Sequence, residues 1–288
     1  SSGTYALGLG MICAELGLPF HIYSDPAIDD VLQRRLEDLG GTVTLVSKDY
    51  SGANLQVQRL AGVKKRLADH PGTFWPCQYD NPENRVAYRA VAEQLRHHLG
   101  DRFTLVGTVG SGGSTGGVAE VLRDALPELK LVAVDTFGSV LFGLPNGRRM
   151  LRGLGNSLLP QNLRHELYDE IHWVTAEDGY YHTRRLHRTT ALYMGPTSGA
   201  AFQVADWLAA EHPEETVVFI APDEGYRYAE SVYDDAWLRE QGLLITEPTP
   251  APTSYRSLVD VEPSWARFPW SRRAFGDIPG VTHPDEGA

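Results

Sequence analysis

Residues 106–117 read VGTVGSGGSTGG, and this stretch decides the fold class. An apolar run over residues 103–109 leads into it and predicts a buried strand. An apolar pattern with helical spacing follows over residues 118–125. Together the strand, the glycine-rich loop and the helix favour an α/β fold with an anion cradle, because backbone N–H groups and a helix N-terminus face one point. The expected ligand group is a phosphate.

The loop differs from the two common nucleotide-binding motifs. No Lys-Ser or Lys-Thr pair follows it, as a Walker A loop requires, and its glycines lack the spacing of a dinucleotide fingerprint. We therefore expect a phosphate carried by a compound other than a nucleotide. For the loop taken alone, a plain tight connection between strand and helix is the alternative.

Helix and strand patterns alternate along most of the chain, which is typical of parallel α/β layering. Residues 1–85 predict a smaller α/β domain and residues 86–246 a larger one. Residues 247–288 predict a proline-rich linker and an extended tail, whose Trp265, Phe268 and Trp270 pack on the body or on a partner. Residues 84–99 and 229–240 are predicted to be helical.

Composition narrows the class of protein. The 288 residues carry a net charge of −11, which argues against nucleic acids and anionic membranes as main partners. Two cysteines, Cys13 and Cys77, imply no disulfide framework and favour a reducing cytoplasmic location. No apolar run reaches membrane-spanning length. The ten histidines show no metal-binding spacing, so no metal site is expected.

Six segments, taken in chain order, resemble motifs of the cysteine synthase family, the fold type II pyridoxal-phosphate enzymes. They lie at strand–helix junctions or in the loops between elements, and the resemblance extends from residue 1 to about residue 240. The segments are Ser1-Ser2-Gly3-Thr4, Gln78-Tyr79 with Asn81-Pro82-Glu83-Asn84, Gly110-Ser111-Gly112-Gly113-Ser114, Arg152-Gly153-Leu154-Gly155, Gly195-Pro196-Thr197-Ser198-Gly199-Ala200-Ala201, and Pro222-Asp223-Glu224-Gly225-Tyr226-Arg227-Tyr228.

The resemblance implies two three-layer α/β/α domains with parallel-rich sheets, and pyridoxal 5′-phosphate as the cofactor. The implied cofactor-binding residues are the phosphate loop, the residue that meets the ring hydroxyl and the residue that faces the pyridine nitrogen: Gly110, Ser111, Gly112, Gly113, Ser114, Thr4 and Asp223. The implied substrate-binding residues lie in and just after the first segment, in the segment whose Gln faces the substrate, and at the mouth of the site: Ser2, Gly3, Thr4, Tyr5, Gln78 and Gly153.

Three positions depart from the family pattern. Thr4 and Tyr5 stand where the family has Asn and Thr, which suggests a product other than cysteine. Asp223 stands where the family has Ser at the pyridine nitrogen. A carboxylate there would favour the protonated ring and hence a stronger electron sink.

The family's Schiff-base lysine lies upstream of the Ser-Gly loop. The lysines present here are Lys48, Lys64, Lys65 and Lys130, and none sits in a convincing position to replace it. We therefore expect the catalytic lysine upstream of Ser1, in an N-terminal segment that this sequence does not contain.

The resemblance implies pyridoxal-phosphate-dependent β-replacement on an activated serine, such as O-acetylserine or O-phosphoserine. The product would be cysteine or another β-substituted alanine, and the family implies a homodimer with an amino-acid substrate. β-Elimination or an ammonia-lyase reaction on the same fold is one alternative. A non-catalytic homologue is the other, because no Schiff-base lysine is present.

Overall fold

The computed structural model describes residues 1, 3–26, 28–46 and 55–281. The chain forms two compact units, Ser1–Pro76 and Cys77–Ala288. The boundary predicted from the sequence lies later, after residue 85. The turn that begins at Cys77 belongs to the second unit, because Asn162 donates hydrogen bonds to the carbonyls of Gln78 (3.0 Å) and Asn81 (2.8 Å).

The first unit is a small α/β layer. It contains α1 (Thr4–Glu15), β1 (His21–Ser24), α2 (Asp30–Asp38), β2 (Thr42–Leu45) and α3 (Leu55–Asp69). The two strands pair in parallel, with His21 opposite Thr42. Helix α2 begins where Asp29 accepts a hydrogen bond from the Leu32 backbone N–H at 2.7 Å, as an N-cap does. Its apolar face supplies Leu32 and Leu36 to the core of this unit.

The second unit is built on a six-stranded sheet with the order β6-β3-β4-β5-β8-β7. Strands β6, β3, β4 and β5 run parallel, and β8 is antiparallel to β5. The elements are α4 (Glu83–Val86), α5 (Arg89–Leu99), β3 (Thr104–Thr108), α6 (Gly113–Arg123), β4 (Lys130–Thr136), β5 (Glu170–Val174), α7 (Ala176–Thr190), α8 (Pro196–Glu211), β6 (Val217–Phe219), α9 (Asp235–Glu240), β7 (Thr253–Ser254) and β8 (Ala266–Pro269).

Both faces of the central strands are buried, which explains their nearly continuous apolar sequences. Leu105 and Leu131 join one core cluster, and Val106 and Val132 join the other. Successive residues of a strand point to opposite faces, so each strand contributes to both clusters. The α/β architecture expected from the sequence, with its parallel-rich sheets, is confirmed.

The strand order reverses between β6 and β3. From β3 the chain passes to β4 and β5, and it then returns through α7 and α8 to place β6 on the other side of β3. In open α/β sheets, ligands bind at such a reversal, beyond the carboxyl ends of the strands. The glycine-rich loop follows β3 and Asp223 follows β6, so the topology brings both segments to this edge.

Two predicted helices differ from those in the structure. Residues 84–99 form two helices, α4 and α5, with a break at residues 87–88. Helix α9 begins only at Asp235, because the carboxylate of Asp234 accepts a hydrogen bond from the Ala236 N–H (2.8 Å) and caps the helix there. None of the described helices has the length and hydropathy that a membrane span requires.

The tail contributes two strands to the sheet. Strand β8 pairs with β5, placing Phe268 opposite Ile171 and Ala266 opposite Trp173. Trp265, Phe268 and Trp270 are all buried in the second unit. Residues 253–254 and 266–269 thus complete the sheet.

A buried polar cluster joins the tail to β5. His172 is fully buried; its Nε2 lies 2.7 Å from Glu170 Oε1, and the Trp265 indole N–H donates to its Nδ1 (3.1 Å). Because Nδ1 accepts a hydrogen bond, Nε2 carries the proton and donates it to Glu170. Burial disfavours the charge of Glu170, but the hydrogen bond from His172 and the nearby cations Lys130 and Arg267 lower the pKa of Glu170 to about 2.

His182 on α7 is expected to make the protein sensitive to acid. The side chain is 7% exposed, and neither ring nitrogen has a hydrogen-bonding partner among the described residues. Burial, assisted by the charge of Arg185, lowers the pKa of His182 to about 4. The unfolded chain therefore binds this proton below its ordinary pKa, near 6.5, whereas the folded chain does not. Stability should fall by about 3 kcal/mol from this group between pH 6.5 and 4.

Urea unfolding of wild type and His182→Leu across this pH range checks the expectation. The variant should lose less stability than wild type as the pH falls. His97→Gln, which alters an exposed histidine, should follow wild type. If the free energy of unfolding falls equally with pH in wild type and in His182→Leu, His182 does not cause the acid sensitivity.

Candidate active site

The glycine-rich loop forms a cradle at the N-terminus of α6. Gly112 is the N-cap residue and has φ +80°, a conformation that favours glycine. A Cβ on Gly113 would lie 2.5 Å from Asn84 Nδ2, so this position also requires glycine. The first N–H groups of a helix have no acceptor within it, and the helix dipole adds positive potential there. The loop can therefore hold an anion.

The hydroxyl of Ser111 adds a directed donor to this cradle. Its oxygen accepts hydrogen bonds from the Gly113 N–H (3.2 Å) and from Asn84 Nδ2 (3.3 Å). Because the oxygen already accepts twice, its own hydrogen is oriented to donate elsewhere. An acceptor-only group such as a phosphate suits this arrangement.

The turn that contains Gly153 packs directly against the glycine-rich loop. The Gly155 N–H donates to the Val109 carbonyl (2.8 Å), and Asn156 Nδ2 donates to the Gly110 carbonyl (3.3 Å). A Cβ on Gly110 would lie 3.6 Å from the Gly153 carbonyl oxygen. The two segments therefore form a continuous surface at the carboxyl ends of β3 and β4.

A buried carboxyl group, that of Asp135, lies next to the segment that carries Gly153. Asp135, in β4, is fully buried, and its Oδ1 accepts a hydrogen bond from the Thr136 N–H (2.8 Å). Burial raises the pKa of Asp135 to about 7, against the opposing effects of that hydrogen bond, Ser139 and the charge of Arg149. Arg149 in turn donates to Ser157 Oγ (2.7 Å). These contacts fix the position of the segment that carries Gly153.

The carboxylate of Asp223 is held by two hydroxyl groups. Thr197 Oγ1 donates to Oδ1 (3.2 Å) and the Tyr228 hydroxyl donates to Oδ2 (2.8 Å). The Gly195 N–H donates to the Asp223 carbonyl (2.9 Å), and a Cβ on Gly195 would lie 2.2 Å from Asp223 Oδ1. The two oxygens of an ionised carboxylate together offer about four acceptor sites. Asp223 can therefore accept from a protonated ring nitrogen as well.

Contacts link Asp223 to the phosphate loop through Gly153. A Cβ on Gly153 would lie 2.6 Å from Thr197 Cγ2, and Thr197 bonds to Asp223. Gly153 has φ +91°, which also favours glycine. The structure thus brings the loop Gly110–Gly113, Gly153 and Asp223 to one edge of the sheet.

Gln78 lies in a turn fixed by two amides. Its carbonyl accepts hydrogen bonds from Asn84 Nδ2 (2.7 Å) and Asn162 Nδ2 (3.0 Å). Because Asn84 also bonds to Ser111, this turn is joined to the phosphate loop. Gln78 itself is half-buried.

The other predicted substrate residues belong to the first unit. Gly3 is the N-cap residue of α1, Thr4 begins that helix and is exposed, and Tyr5 is half-buried. Ser2 lies outside the described residues. The assignment of these four residues to substrate binding, and of Thr4 also to cofactor binding, remains a prediction.

Within the second unit, Lys130 does not lie at the edge of the sheet where the glycine-rich loop and Asp223 meet. Lys130 begins β4, at the end opposite the glycine-rich loop, and its Nζ lies 3.3 Å from Glu170 Oε2. Lys64 and Lys65 lie on α3 of the first unit, where Lys65 pairs with Asp69 at 2.6 Å. Lys48 lies outside the described residues.

Comparison with known proteins decides the family. A family model described as "Pyridoxal-phosphate dependent enzyme" matches residues 1–223. The chain belongs to this family. Pyridoxal 5′-phosphate is therefore its cofactor, as expected from the sequence.

The relatives place this pyridoxal-phosphate enzyme close to the cysteine synthases. An N-(2-amino-2-carboxyethyl)-L-glutamate synthase from Ralstonia nicotianae is 37% identical over 243 residues, 83% of this chain and 71% of that protein. A cysteine synthase from Helicobacter pylori is 30% identical over 208 residues, 65% of this chain and 68% of that protein.

A solved structure gives the same family and fold. The O-acetylserine-dependent cystathionine β-synthase from Helicobacter pylori superposes with a TM-score of 0.73 and 26% identity, covering 80% of this chain and 75% of that one. The expectation of an enzyme of the fold type II, cysteine synthase-like family is confirmed.

The residues of the second unit fit the cofactor. The N-terminus of α6 provides N–H donors for the phosphate group, and Ser111 provides a hydroxyl donor. Asp223 provides an ionisable acceptor held by hydroxyl groups, which suits a protonated pyridine nitrogen. These residues would hold the two ends of pyridoxal phosphate.

Several supporting residues were missed when only the sequence was considered. Asn84 and Tyr228 lie inside recognised motifs, but nothing in the motifs shows that Asn84 braces the phosphate loop or that Tyr228 holds Asp223. Asn156 and Asn162 lie in an irregular stretch with no periodicity to mark them. Their roles depend on contacts between segments that are distant in the chain.

Proposed function

We propose that this enzyme replaces the β-substituent of an activated L-serine with the amino group of an amino acid. The product is an alanine whose β-carbon carries a new C–N bond. The activated serine is an ester such as O-phosphoserine or O-acetylserine, and L-glutamate is the first nucleophile to test.

The observation that carries this proposal is the higher identity to the N-(2-amino-2-carboxyethyl)-L-glutamate synthase than to the cysteine synthase. That relative's name describes glutamate joined through nitrogen to the β-carbon of alanine. Thr4 and Tyr5, which depart from the residues of cysteine synthases, support a nucleophile other than sulfide. A Tyr side chain adds bulk where the family has Thr, and so alters the space for the substrate.

The chain's own residues would bind and orient the reactants. The N–H groups at the start of α6 and the Ser111 hydroxyl hold the cofactor phosphate. Asp223, oriented by Thr197 and Tyr228, would accept a hydrogen bond from the ring nitrogen and favour its protonated form, since a carboxylate stabilises a positive charge. Ser2, Gly3, Thr4, Tyr5, Gln78 and Gly153 are the proposed substrate contacts.

The proposed reaction balances without a further reactant. Bound pyridoxal phosphate supplies the electron sink that makes the α-proton of the amino acid acidic. A base removes that α-proton, the bond from the β-carbon to the ester oxygen breaks, and the electron pair of this bond leaves on the oxygen. The amine nitrogen then forms a bond to the β-carbon and loses one proton, and a proton returns to the α-carbon.

Product analysis with two nucleophiles tests the proposal. The protein expressed from its complete gene is incubated with pyridoxal phosphate, O-phosphoserine or O-acetylserine, and either L-glutamate or sulfide, and the products are identified by mass spectrometry. A product that joins alanine to the glutamate nitrogen is expected. Cysteine formed only with sulfide would make the protein a cysteine synthase. Pyruvate and ammonia would indicate elimination, and no turnover by protein loaded with cofactor would indicate a non-catalytic homologue.

Asp223→Asn tests the assignment at the ring nitrogen. Asn has the same size as Asp but no negative charge, so one charge-assisted hydrogen bond is weakened. The free energy of such a bond corresponds to a fall in kcat of about 10- to 100-fold. Cofactor affinity should change less, because the phosphate loop is intact. Glu224→Gln removes the charge of the neighbouring exposed residue and should leave kcat within about twofold. If Glu224→Gln has the larger effect, the ring nitrogen faces Glu224.

The proposal extends to assembly and location. The protein is expected to work as a homodimer, by resemblance to its family, and in the cytoplasm. The described cysteines, Cys13 and Cys77, are both free thiols, which suits a reducing compartment. Light scattering during gel filtration measures the oligomeric state, and a monomer at micromolar concentration would contradict the dimer.

A further inference from the structure

A pocket of about 410 Å³ lies between α7, α9 and the segment that follows α9. Its volume is within the range of small-ligand sites in proteins. The floor is apolar, since Leu238 and Leu243 are buried members of the core of the second unit. The walls are charged. The lining residues are Tyr181, Arg184, Arg188, Asp235, Leu238, Arg239, Leu243, Leu244, Ile245 and Thr246.

One wall of this arginine pocket is a single face of α7. Tyr181, Arg184 and Arg188 are spaced at i, i+3 and i+7, so they share that face. The Arg188 guanidinium lies over the Tyr181 ring, 5.9 Å from its centroid. Arg239 contributes a third guanidinium from α9 on the other side. Three cations therefore point to one concave surface.

The pocket has more positive than negative charge. Arg184 donates to Asp235 Oδ1 (2.5 Å) and Arg239 donates to Oδ2 (3.3 Å), so both share one carboxylate. The hydrogen bond from Arg184 and the charges of Arg184, Arg239 and Arg188 lower the pKa of Asp235. Three guanidinium groups and one carboxylate leave two excess positive charges, in a chain whose net charge is −11.

This excess distinguishes the pocket from an ordinary solvated face. Each guanidinium has five N–H donors, and the bonds to Asp235 use only one donor from Arg184 and one from Arg239. Like charges brought together repel each other unless an anion offsets them. An apolar floor beside a few directed polar groups is the usual composition of a ligand site.

We propose that the arginine pocket is a binding site, separate from the candidate active site, for a phosphate monoester with an apolar or aromatic group. A phosphate monoester carries nearly two negative charges at neutral pH, which matches the two excess positive charges. Arg188 and Arg239 bind the phosphate oxygens together with Arg184. The apolar group lies on Leu238, Leu243 and Ile245.

Calorimetry with phenyl phosphate tests this site on the cofactor-loaded enzyme, in which the phosphate loop is already occupied. Wild type should bind phenyl phosphate with measurable heat, and more tightly than inorganic phosphate, because only the ester reaches the apolar floor. Arg188→Gln and Arg239→Gln should each weaken binding at least about tenfold, and the double variant should lose it. Both residues are exposed, so the fold should be unchanged in circular dichroism.

Arg96→Gln is the matched control, because Arg96 is also exposed and lies beside one acid, Asp101, at 3.9 Å. It should bind phenyl phosphate as wild type does. Three results would each overturn the proposal: no binding to cofactor-loaded wild type, an unchanged affinity in the double variant, or equal affinities for phenyl phosphate and inorganic phosphate.

Discussion

Replacing Gly112 by alanine should abolish binding of pyridoxal phosphate at micromolar concentrations. The residue has φ +80°, where a non-glycine residue costs about 1–2 kcal/mol. The new Cβ would lie 2.7 Å from Leu163 Cα and 2.9 Å from the Asn162 carbonyl oxygen. Both are backbone atoms, so the start of α6 must move away from its position. We expect the affinity for the cofactor to fall at least about 100-fold, since several N–H donors lose their alignment together.

Titration followed by the absorbance of the bound cofactor measures this loss. Thermal unfolding without cofactor measures the separate cost to the fold. Gly276→Ala is the control, because among the described residues no atom beyond its own chain neighbours lies within 4 Å of the added Cβ, and the φ of Gly276 is not positive. Wild-type affinity in Gly112→Ala would show that this loop does not hold the phosphate.

Removing residues 251–288 should prevent the second unit from folding. The deletion removes β7 and β8, together with two buried side chains, Trp265 and Trp270. It also exposes His172, which then loses the indole donor at Nδ1. Large apolar side chains of this kind stabilise a core by several kcal/mol each, so their joint loss exceeds the net stability of a typical domain.

Point variants give this expectation a graded test. Trp265→Ala should lower the free energy of unfolding by about 3–5 kcal/mol, and Trp265→Phe by less, since it keeps most of the apolar volume. Val259→Ala, which alters a side chain that is 76% exposed in the same segment, should change it by about 0.5 kcal/mol or less. Chemical denaturation measures all three. A Trp265→Ala variant as stable as wild type would show that the tail does not support the core.

The central part of this fold could be predicted from local sequence. The apolar run of β3, the glycine-rich loop and the amphipathic pattern of α6 are consecutive, and each has its own signal. Gly112 was recognisable as a loop glycine because such a turn needs a left-handed residue. For the same reason the family and its cofactor were evident before any geometry was known.

The contacts that complete the site could not be predicted in this way. Thr197 and Tyr228 meet Asp223 only because α8 and the segment after β6 come together at one sheet edge. The sequence did not mark the tail as part of the sheet either. Strand β8 alternates between buried and more exposed residues, but it is only four residues long and ends in Pro269, a residue that disfavours strands. Its strand character comes from pairing with β5, which is a tertiary effect.

Strand β8 also has a consequence for the newly made chain. Strand β5 ends at Val174, and its antiparallel neighbour β8 begins only at Ala266, so β8 is synthesised much later than β5. On the ribosome, the apolar edge of β5 therefore stays open while α7, α8, β6 and α9 are synthesised. An open edge of this kind can pair with another nascent chain. We expect the yield of native protein to depend on chaperones that hold this edge until translation is nearly complete.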